Sequence, residues 1–269
     1  PRPSPPHPAP HSHEHRPPLL PVSLKPLSLN PATCTEAVLV EPRALDYTVV
    51  ALQSALGVPG IGFITYAHGI NNALFSKQLV DGSKALARAY ARGMLRLLRL
   101  PIIDLGSGLH LEYTRLLTNP SFWSLFHCNQ LIIFQSDTMF CQGSPVSINE
   151  FAEFPFIGGH TPRINGGPGR IHMNGGFSLR NRSAMLNCIK HDMHHELLMS
   201  NSKLGEDEIF SRCPSLKQPP VWLVDRFAID NALKPGKTPP LGVHKPWAGK
   251  FARNVTELCS GAQSLKDAR

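Results

Sequence analysis

The 269-residue chain lacks several features that would assign it to a class at once. No run of apolar residues approaches the roughly 18 needed to cross a bilayer, so we expect no transmembrane helix. No two cysteines form a CxxC pair, which argues against a zinc ribbon or a thioredoxin-type site. The even number of cysteines leaves the redox compartment open, because they are far apart in a long chain. They are Cys34, Cys128, Cys141, Cys188, Cys213 and Cys259.

The chain also lacks a basic run, although its net charge is +8 and its pI about 9.4. The densest arginines, between Arg88 and Arg99, are spaced as one stripe of a helix, which is typical of a solvated face. Aromatic and basic residues are not interleaved, so we expect no specific nucleic-acid partner. The surplus charge favours phosphates and nucleotides as ligands.

Residues 1–33 are rich in proline and histidine, and we predict a disordered tail there. The chain begins with Pro1, which leaves room for an upstream segment. If that segment holds an anchor, we expect a location in the secretory pathway (ER or Golgi lumen), with membrane association only through it; otherwise we expect a cytoplasmic location. Two triplets match the N-glycosylation sequon: Asn181-Arg182-Ser183 and Asn254-Val255-Thr256. Such a match is informative only if the protein is secreted.

The segment Leu131–Asp137 organises the rest of the sequence. Four apolar residues, 131–134, predict a strand buried on both faces, and Asp137 is the first carboxylate after it. Ligands of open α/β sheets bind outside the carboxyl ends of strands, so Asp137 is well placed to hold a hard cation or a hydroxyl. A turn or helix-capping aspartate explains the same pattern.

Strands and helices alternate around this segment, which is typical of a parallel α/β sheet. The predicted strands are 37–40, 61–65, 97–103, 154–159 and 177–180, the last one directly after Gly175–Gly176, and the predicted helices are 44–56, 71–79, 84–97, 109–117, 182–190 and 221–233. We predict one domain over 34–250 and a polar, frayed tail over 251–269. Arg43 follows the first strand, where a nucleotide would rest, although a surface arginine fits equally.

Two further segments carry candidate chemistry. Glu206 and Asp207 begin a predicted helix, where acids either cap the first turn or serve as a general base facing a cleft. His191 and His195 share a helix face at the i and i+4 spacing that zinc hydrolases use. The HExxH order is absent, so an exposed histidine-rich helix end is the competing interpretation.

Seven short segments resemble, in the same order, those of one known family. They are VLVEPR (38–43), YTRLLTNPSFW (113–123), LIIFQSDTMFC (131–141), FIGG (156–159), NGGFSLRNRSAML (174–186), EDEIFS (206–211) and LGVHKPW (241–247). The family comprises fungal, algal and bacterial proteins of a domain of unknown function that are regarded as GT-A-type glycosyltransferases. The resemblance covers about residues 36–248 and implies a GT-A-like, Rossmann-like fold with a mixed, mostly parallel sheet flanked by helices.

The resemblance also implies a donor site for a nucleotide-diphosphate sugar, with a UDP-sugar favoured. Asp137 would hold Mn²⁺ or Mg²⁺, with His244 as second ligand, and imidazole tilts the choice toward manganese. Lys245 or Arg180 would pair with phosphate oxygens of the donor. Arg43 would lie beside the nucleotide. Backbone at Gly175 and Gly176 would lie against the sugar.

Two departures from the family pattern bear on the site. The usual Asp-x-Asp is reduced to Gln135-Ser136-Asp137, and His160 stands where relatives tend to carry tryptophan. The implied reaction is an inverting transfer to a hydroxyl of a glycan, protein or lipid, with Asp207 as base and Glu206 beside it. A catalytically inactive sugar-nucleotide-binding protein, or a zinc hydrolase using His191 and His195, remains as an alternative.

Overall fold

The computed structural model describes residues 30–101, 109–165, 169–192, 204–230, 235–248, 250–259 and 261–269. The tail predicted for 1–33 lies outside these residues except for its last four positions. Nine strands are described: β1 (Thr35–Glu41), β2 (Ile61–His68), β3 (Leu95–Arg99), β4 (Gln130–Phe134), β5 (Thr138–Phe140), β6 (Phe156–Asn165), β7 (Ile171–Asn181), β8 (Ala228–Ile229) and β9 (Gly242–His244).

The strands form two sheets. Six of them make a large sheet in the order β3-β2-β1-β4-β7-β6. Its first four strands are mutually parallel, whereas β7 runs antiparallel to both β4 and β6. A small sheet has the order β5-β9-β8, and three residues separate the end of β4 from the start of β5. The prediction of a mixed α/β fold with a mostly parallel sheet is confirmed.

The helices flank the large sheet and cover its faces. They are α1 (Thr48–Ala55), α2 (Ala73–Gly82), α3 (Lys84–Ala91), α4 (Leu109–Leu117), α5 (Pro120–Trp123), α6 (Arg182–His191), α7 (Glu206–Arg212), α8 (Val221–Phe227), α9 (Ala252–Leu258) and α10 (Ala262–Asp267). None of these helices is both long enough and apolar enough to span a bilayer.

The strand β4 is the centre of the core, as its sequence predicts. Leu131, Ile132, Ile133 and Phe134 are completely buried between β1 and β7. Each such side chain contributes about 1.5–3 kcal/mol through the apolar surface removed from water. This rigid strand fixes the position of Asp137, which follows it.

Two predicted helices are shorter than expected. The helix predicted over 84–97 ends at Ala91, because Gly93 takes a left-handed conformation (φ 72°) and the chain enters β3 at Leu95. The helix predicted over 221–233 ends at Phe227. Ala228 is already extended there, since β8 pairs in parallel with β9.

The prediction of a frayed tail over 251–269 is wrong. Helices α9 and α10 occupy most of this segment and bury Val255 and Leu265 against the small sheet. A disulfide between Cys141 and Cys259 joins α9 to the residue just after β5. The polar composition of this segment did not reveal the two short helices, because each has only one apolar face.

All six cysteines are paired in three disulfides. Besides Cys141–Cys259, these are Cys34–Cys128 and Cys188–Cys213. The pairs bridge 94, 118 and 25 residues of sequence, which is why spacing alone did not reveal them.

Candidate active site

The carboxyl ends of neighbouring parallel strands meet at one edge of the large sheet, here called the carboxyl edge. β1 ends at Glu41 and β2 at His68, and these two residues are paired in the register of the strands. β4 ends at Phe134, three residues before Asp137. The Ser136 hydroxyl donates a hydrogen bond to Glu41 and so ties the turn after β4 to the end of β1.

The small sheet brings His244 against Asp137, because Thr138 in β5 is paired with His244 in β9. Nε2 of His244 lies 3.5 Å from Oδ1 of Asp137. Nδ1 of the same ring is hydrogen-bonded to Oδ1 of Asp230 at 2.9 Å. The buried imidazole therefore stands between two carboxylates, one at each ring nitrogen.

The electrostatics of this group favour positive charge between the acids. Burial alone would lower the pKa of His244, but hydrogen bonding and charge from Asp137 and Asp230 raise it to about 9. Burial would likewise raise the pKa of Asp137, yet His244, Lys245 and Arg43 together hold it below its ordinary value. A cation at this position would be stabilised in the same way.

Two atoms of the group are unsatisfied. Oδ1 of Asp137 and Nε2 of His244 are shielded from solvent, and neither has a hydrogen-bond partner. Buried polar atoms rarely remain unpaired, so these call for an explanation. A carboxylate oxygen and an imidazole nitrogen both suit a divalent cation such as Mn²⁺. The raised pKa of His244 keeps a proton on Nε2 at neutral pH when no cation is bound. A cation that displaces this proton would meet a lone pair at Nε2, while Nδ1–H stays on Asp230, so these residues fit the cation that the resemblance implies.

Lys245 follows His244 at the mouth of this group. Its Nζ lies 3.8 Å from Oδ2 of Asp137, and its backbone N–H donates to the Asp137 carbonyl at 2.9 Å. Its φ of 48° is the only positive value of a non-glycine residue in the described part of the chain. Such a conformation is uncommon for lysine and is held here by the surrounding bonds. It places an ammonium group, half exposed, beside the carboxylate.

The pair Gly175–Gly176 in β7 separates two groups of side chains. A Cβ on Gly176 would lie 2.6 Å from Nε2 of His244. A Cβ on Gly175 would lie 2.2 Å from Oε1 of Glu206 and 3.0 Å from Cβ of Asp207. The segments around 207 and 244 therefore contact the same strand, β7. These glycines lie within β7, not before it as expected.

Asp207 is held at the start of α7 by backbone donors. Its Oδ2 accepts from Gly175 N–H at 3.1 Å, and its Oδ1 accepts from Glu208 N–H at 2.8 Å. Nε2 of the buried His172 lies 3.7 Å from Oδ1. Burial would raise the pKa of Asp207, but His172 and the two backbone donors bring it below the ordinary value. The carboxylate is thus ionised, with about 21% of its side chain exposed.

Glu206 points the other way, into the protein. Both of its oxygens accept from the guanidinium of Arg180, at 2.9 and 3.1 Å, and Arg180 is completely buried. The same guanidinium lies over the rings of Phe156 and Phe210. The expectation that Arg180 pairs with phosphate is therefore wrong. A carboxylate committed to this ion pair is a support for its neighbour Asp207 rather than a proton acceptor.

Arg43 lies just beyond β1 with its side chain about one-third exposed. Its Nε and Nη2 donate to the two carboxylate oxygens of Glu41, at 2.7 and 2.9 Å. This pairing raises the pKa of the guanidinium above its ordinary value. Glu41 thus orients Arg43 and the Ser136 hydroxyl together, on the same edge as Asp137.

A family model described as "Protein of unknown function (DUF5672)" matches residues 105–244, slightly more than half of the chain. The chain belongs to this family. The matched part of the DUF5672 protein includes Asp137, the Gly175–Gly176 pair, Asp207 and His244. No curated protein sequence matches the chain.

Solved structures of GT-A glycosyltransferases share the fold of this DUF5672 protein. The galactosyltransferase LgtC, in complex with donor and acceptor sugar analogues, aligns with a TM-score of 0.53 and 12% identity over 87% of this chain and 94% of that one. An active-site mutant of LgtC gives 0.52 and 13% over the same shares. The bifunctional WbbM gives 0.51 and 11%, over 92% of this chain and 53% of that one. Identities this low show the fold alone.

The histidine pair proposed for zinc finds no support in the described residues. His191 is exposed at the end of α6, and His195 lies outside them. Cys188, Asp192 and Cys213 bring possible ligand atoms within 4.8 Å of one another near this end. The two cysteines are joined as a disulfide, so neither supplies the thiolate that binds zinc.

Sequence reasoning missed three residues of the candidate site: Glu41, His172 and Asp230. Glu41 carried a usable signal, because it is the first carboxylate after a buried strand, as Asp137 is. Asp230 was hidden inside the helix wrongly predicted over 221–233. His172 had no local signal, since its role depends on the distant Asp207.

Proposed function

We propose that this DUF5672 protein is a metal-dependent glycosyltransferase that moves a sugar from a nucleotide-diphosphate sugar to a hydroxyl acceptor. The observation that carries the proposal is the unsatisfied pair, Oδ1 of Asp137 and Nε2 of His244, 3.5 Å apart at the carboxyl edge of a GT-A fold. Ligands of α/β sheets bind at this edge, and a divalent cation satisfies both atoms.

Asp137 and His244 would hold the cation, with Asp230 fixing the imidazole. Manganese is favoured over magnesium, because an imidazole ligand suits the softer ion. When bound, the cation would neutralise the charge that develops on the leaving diphosphate. Gln135 stands where the first acid of Asp-x-Asp would be, so the cation would depend on Asp137 and His244.

The donor would lie along the same edge. Lys245 places an ammonium group beside Asp137, within reach of diphosphate oxygens, and Arg43 places a partly exposed guanidinium beyond β1. Gly175 and Gly176 let the backbone of β7 approach a sugar closely. A UDP-sugar remains the favoured donor, and the acceptor is a hydroxyl of a glycan, protein or lipid.

Asp207 would act as the general base of an inverting single displacement. Its ionised, partly exposed carboxylate accepts the proton of the acceptor hydroxyl while the oxygen bonds to the anomeric carbon and the bond to the diphosphate breaks. Glu206 and Arg180 position it from behind. A general base increases the reaction rate by about 10²–10⁴-fold. Because the pKa of Asp207 is lowered, we expect its contribution to lie toward the smaller value.

The test measures binding of nucleotide sugars by calorimetry, with and without Mn²⁺. We expect tight binding of one donor only when Mn²⁺ is present. Asp137→Ala should abolish the effect of the metal, whereas Asp81→Ala, at an exposed ion pair on α2, should leave it intact. Equal donor affinity with and without chelator in the unaltered protein would refute the metal assignment.

A second candidate is a sugar-nucleotide-binding protein without transferase activity. It is favoured by one observation: hydrogen bonds from the Gly175 and Glu208 backbone occupy the Asp207 carboxylate and weaken it as a base. Slow hydrolysis of the bound donor in the absence of acceptor would argue for the enzyme. Metal-dependent binding without any turnover would argue for the binding protein.

We further propose that the catalytic domain begins at residue 34 and includes α9 and α10, beyond the boundary at residue 250 that the sequence predicts. The reason is the close packing of these two helices on the small sheet. Proteolysis of the folded protein should then leave 34–269 as one resistant fragment, and cleavage near 250 would contradict the extension.

A further inference from the structure

We infer that this protein folds in an oxidising, secretory compartment and carries an N-linked glycan on Asn254. The inference is independent of the proposed transferase activity. It rests on the pairing of all the cysteines and on the different surroundings of the two sequons.

The cysteines are the first observation. Each of the three disulfides joins elements that are separated in sequence, and no cysteine is free. Cys34–Cys128 ties the residue before β1 to the residue two before β4, and Cys141–Cys259 ties β5 to α9. Cytosolic thiols are kept reduced, and a cytosolic protein seldom holds three buried structural disulfides. The set is typical of a protein of the secretory pathway, where N-glycosylation also takes place.

The sequon at Asn254 is open to solvent. Asn254 lies on α9 with its side chain exposed, between the exposed Arg253 and the buried Val255. Val255 anchors the helix in the small-sheet core, so a group attached at the neighbouring Asn254 lies on the surface of α9 and not in that core. The Thr256 side chain, which the sequon requires, is partly accessible, and its hydroxyl donates only to the Arg253 carbonyl of the same helix, at 2.8 Å. No described contact would be lost by attaching a sugar here.

A hollow beside Asn254 would accommodate the first sugars. It has a volume of about 410 Å³ and is lined by Pro235, Phe251 and Leu258, among others. Phe251 precedes Asn254 by three residues, which places both on one face of the helix. The apolar face of the first sugar would cover this aromatic ring, and such a contact stabilises the attached glycan.

The sequon at Asn181 is engaged instead. The Asn181 side chain caps α6 by accepting from Ala184 N–H at 3.0 Å, and it lies half-buried at the end of β7. The Ser183 hydroxyl donates to Asn129 at 2.8 Å. A glycan on Asn181 would have to leave from between β4 and α6, so we expect this position to stay unmodified.

The modification is a group transfer from a lipid-pyrophosphate-linked oligosaccharide. The amide nitrogen of Asn254 forms a bond to the anomeric carbon of the first sugar. The bond from that carbon to the pyrophosphate oxygen breaks, the lipid pyrophosphate leaves, and the amide nitrogen loses one proton to the transferring enzyme.

The test uses the protein purified from its own cells and treated with a peptide N-glycosidase, which hydrolyses the bond between the asparagine side chain and the glycan. We expect a mobility shift equal to one glycan and conversion of Asn254 to Asp in the released peptide. Asn254→Gln and Thr256→Val should abolish the shift, and Asn181→Gln should retain it. Since Asn254→Gln touches no core residue, Mn²⁺-dependent donor binding should be unchanged.

A second measurement tests the compartment separately. Alkylation of the denatured, unreduced protein should label none of the six cysteines, and all six after reduction. An unshifted natural protein, or a shift that survives Asn254→Gln, would overturn the glycan assignment. Labelling of the cysteines before reduction would overturn the oxidising compartment.

Discussion

The two groups of side chains beside the Gly175–Gly176 pair differ in how their carboxylates are hydrogen-bonded. On the histidine side, comprising Asp137, Asp230 and His244, a carboxylate oxygen and a ring nitrogen are buried without a partner. On the acid side, comprising His172, Arg180, Glu206 and Asp207, the four carboxylate oxygens each have a partner, and the unsatisfied atoms are the two ring nitrogens of His172. The two sides of this strand thus differ in their carboxylates: those of the acid side are fully hydrogen-bonded, whereas Asp137 keeps one buried oxygen without a hydrogen bond.

This difference indicates how each side functions. A satisfied, buried ion pair is rigid, and it fixes the direction of Asp207 before any substrate arrives. An unsatisfied pair costs stability, which the fold recovers when a ligand binds. We therefore expect substitutions on the acid side to change the stability of the protein, and those on the histidine side to change its affinity for metal.

The largest effect is expected from Arg180→Leu. The substitution leaves the Glu206 carboxylate buried without its partner, so the free energy of unfolding should fall by about 3–5 kcal/mol. Urea denaturation measures this change. Arg253→Leu, which breaks an exposed i,i+4 pair, is the control and should cost about 1 kcal/mol or less.

A double variant sharpens the same prediction. Arg180→Leu combined with Glu206→Leu removes both charges and should recover part of the lost stability. If the single variant is as stable as the unaltered protein, the acid side is not the rigid support described above.

Asp207→Asn is expected to reduce kcat of transfer by about 10²-fold, because the amide cannot accept the acceptor proton. Donor binding should be unchanged, since Asn retains the shape of the side chain. The control is Glu208→Gln, whose carboxylate pairs with Arg212 in the same helix. Because the pKa of Asp207 is lowered, kcat should show no acid limb above the ordinary aspartate pKa of about 3.9. Full turnover by the variant would remove Asp207 from the mechanism.

Two single-methyl substitutions compare the sides directly. Gly175→Ala places Cβ against Glu206 and Arg180, and should cost about 1–3 kcal/mol of stability by overpacking. Gly176→Ala places Cβ against His244 and should weaken Mn²⁺ binding more than it weakens the fold. Gly82→Ala, which meets no atom within 4 Å, is the control for both. Denaturation measures the stability of each variant, and Mn²⁺ titration measures its affinity for the metal. Equal changes of both quantities in the two variants would contradict the proposed difference between the two sides.

Asp230→Asn is expected to have the smallest effect, a loss of about tenfold in Mn²⁺ affinity. The amide oxygen still accepts from Nδ1 of His244, but the negative charge that makes the ring a stronger ligand is gone. Electron paramagnetic resonance of Mn²⁺ without nucleotide measures the affinity. Asp225→Asn, on the exposed face of α8, should leave it unchanged. An unaltered affinity in Asp230→Asn would show that Asp230 does not support His244.

The sequence predicts those parts of the fold that depend on neighbours along the chain. Apolar runs located β1, β2 and β4 because their burial requires continuous hydrophobicity. The boundary errors arose where pairing is non-local: β8 exists only because β9 lies beside it, and α9 and α10 are held by a disulfide to Cys141. No local pattern encodes either contact.

The candidate site divides in the same manner. Asp137 and Asp207 were predicted because each follows a recognisable boundary, and the resemblance to a family added His244. Glu206 was placed beside Asp207 by sequence, yet its orientation depends on Arg180, 26 residues away. The sequence thus gives the identity of the acids, while their roles follow from three-dimensional partners.

The position of β9 has a consequence for how the protein is made. This strand inserts between β5 and β8, both of which leave the ribosome before it. The acid side of the site, built entirely from residues 172–207, emerges earlier and can assemble while the later residues are still being added. The proposed metal site is therefore completed after the acid side in biosynthesis, and a premature stop after α7 but before residue 244 yields a chain that has the proposed base but lacks His244.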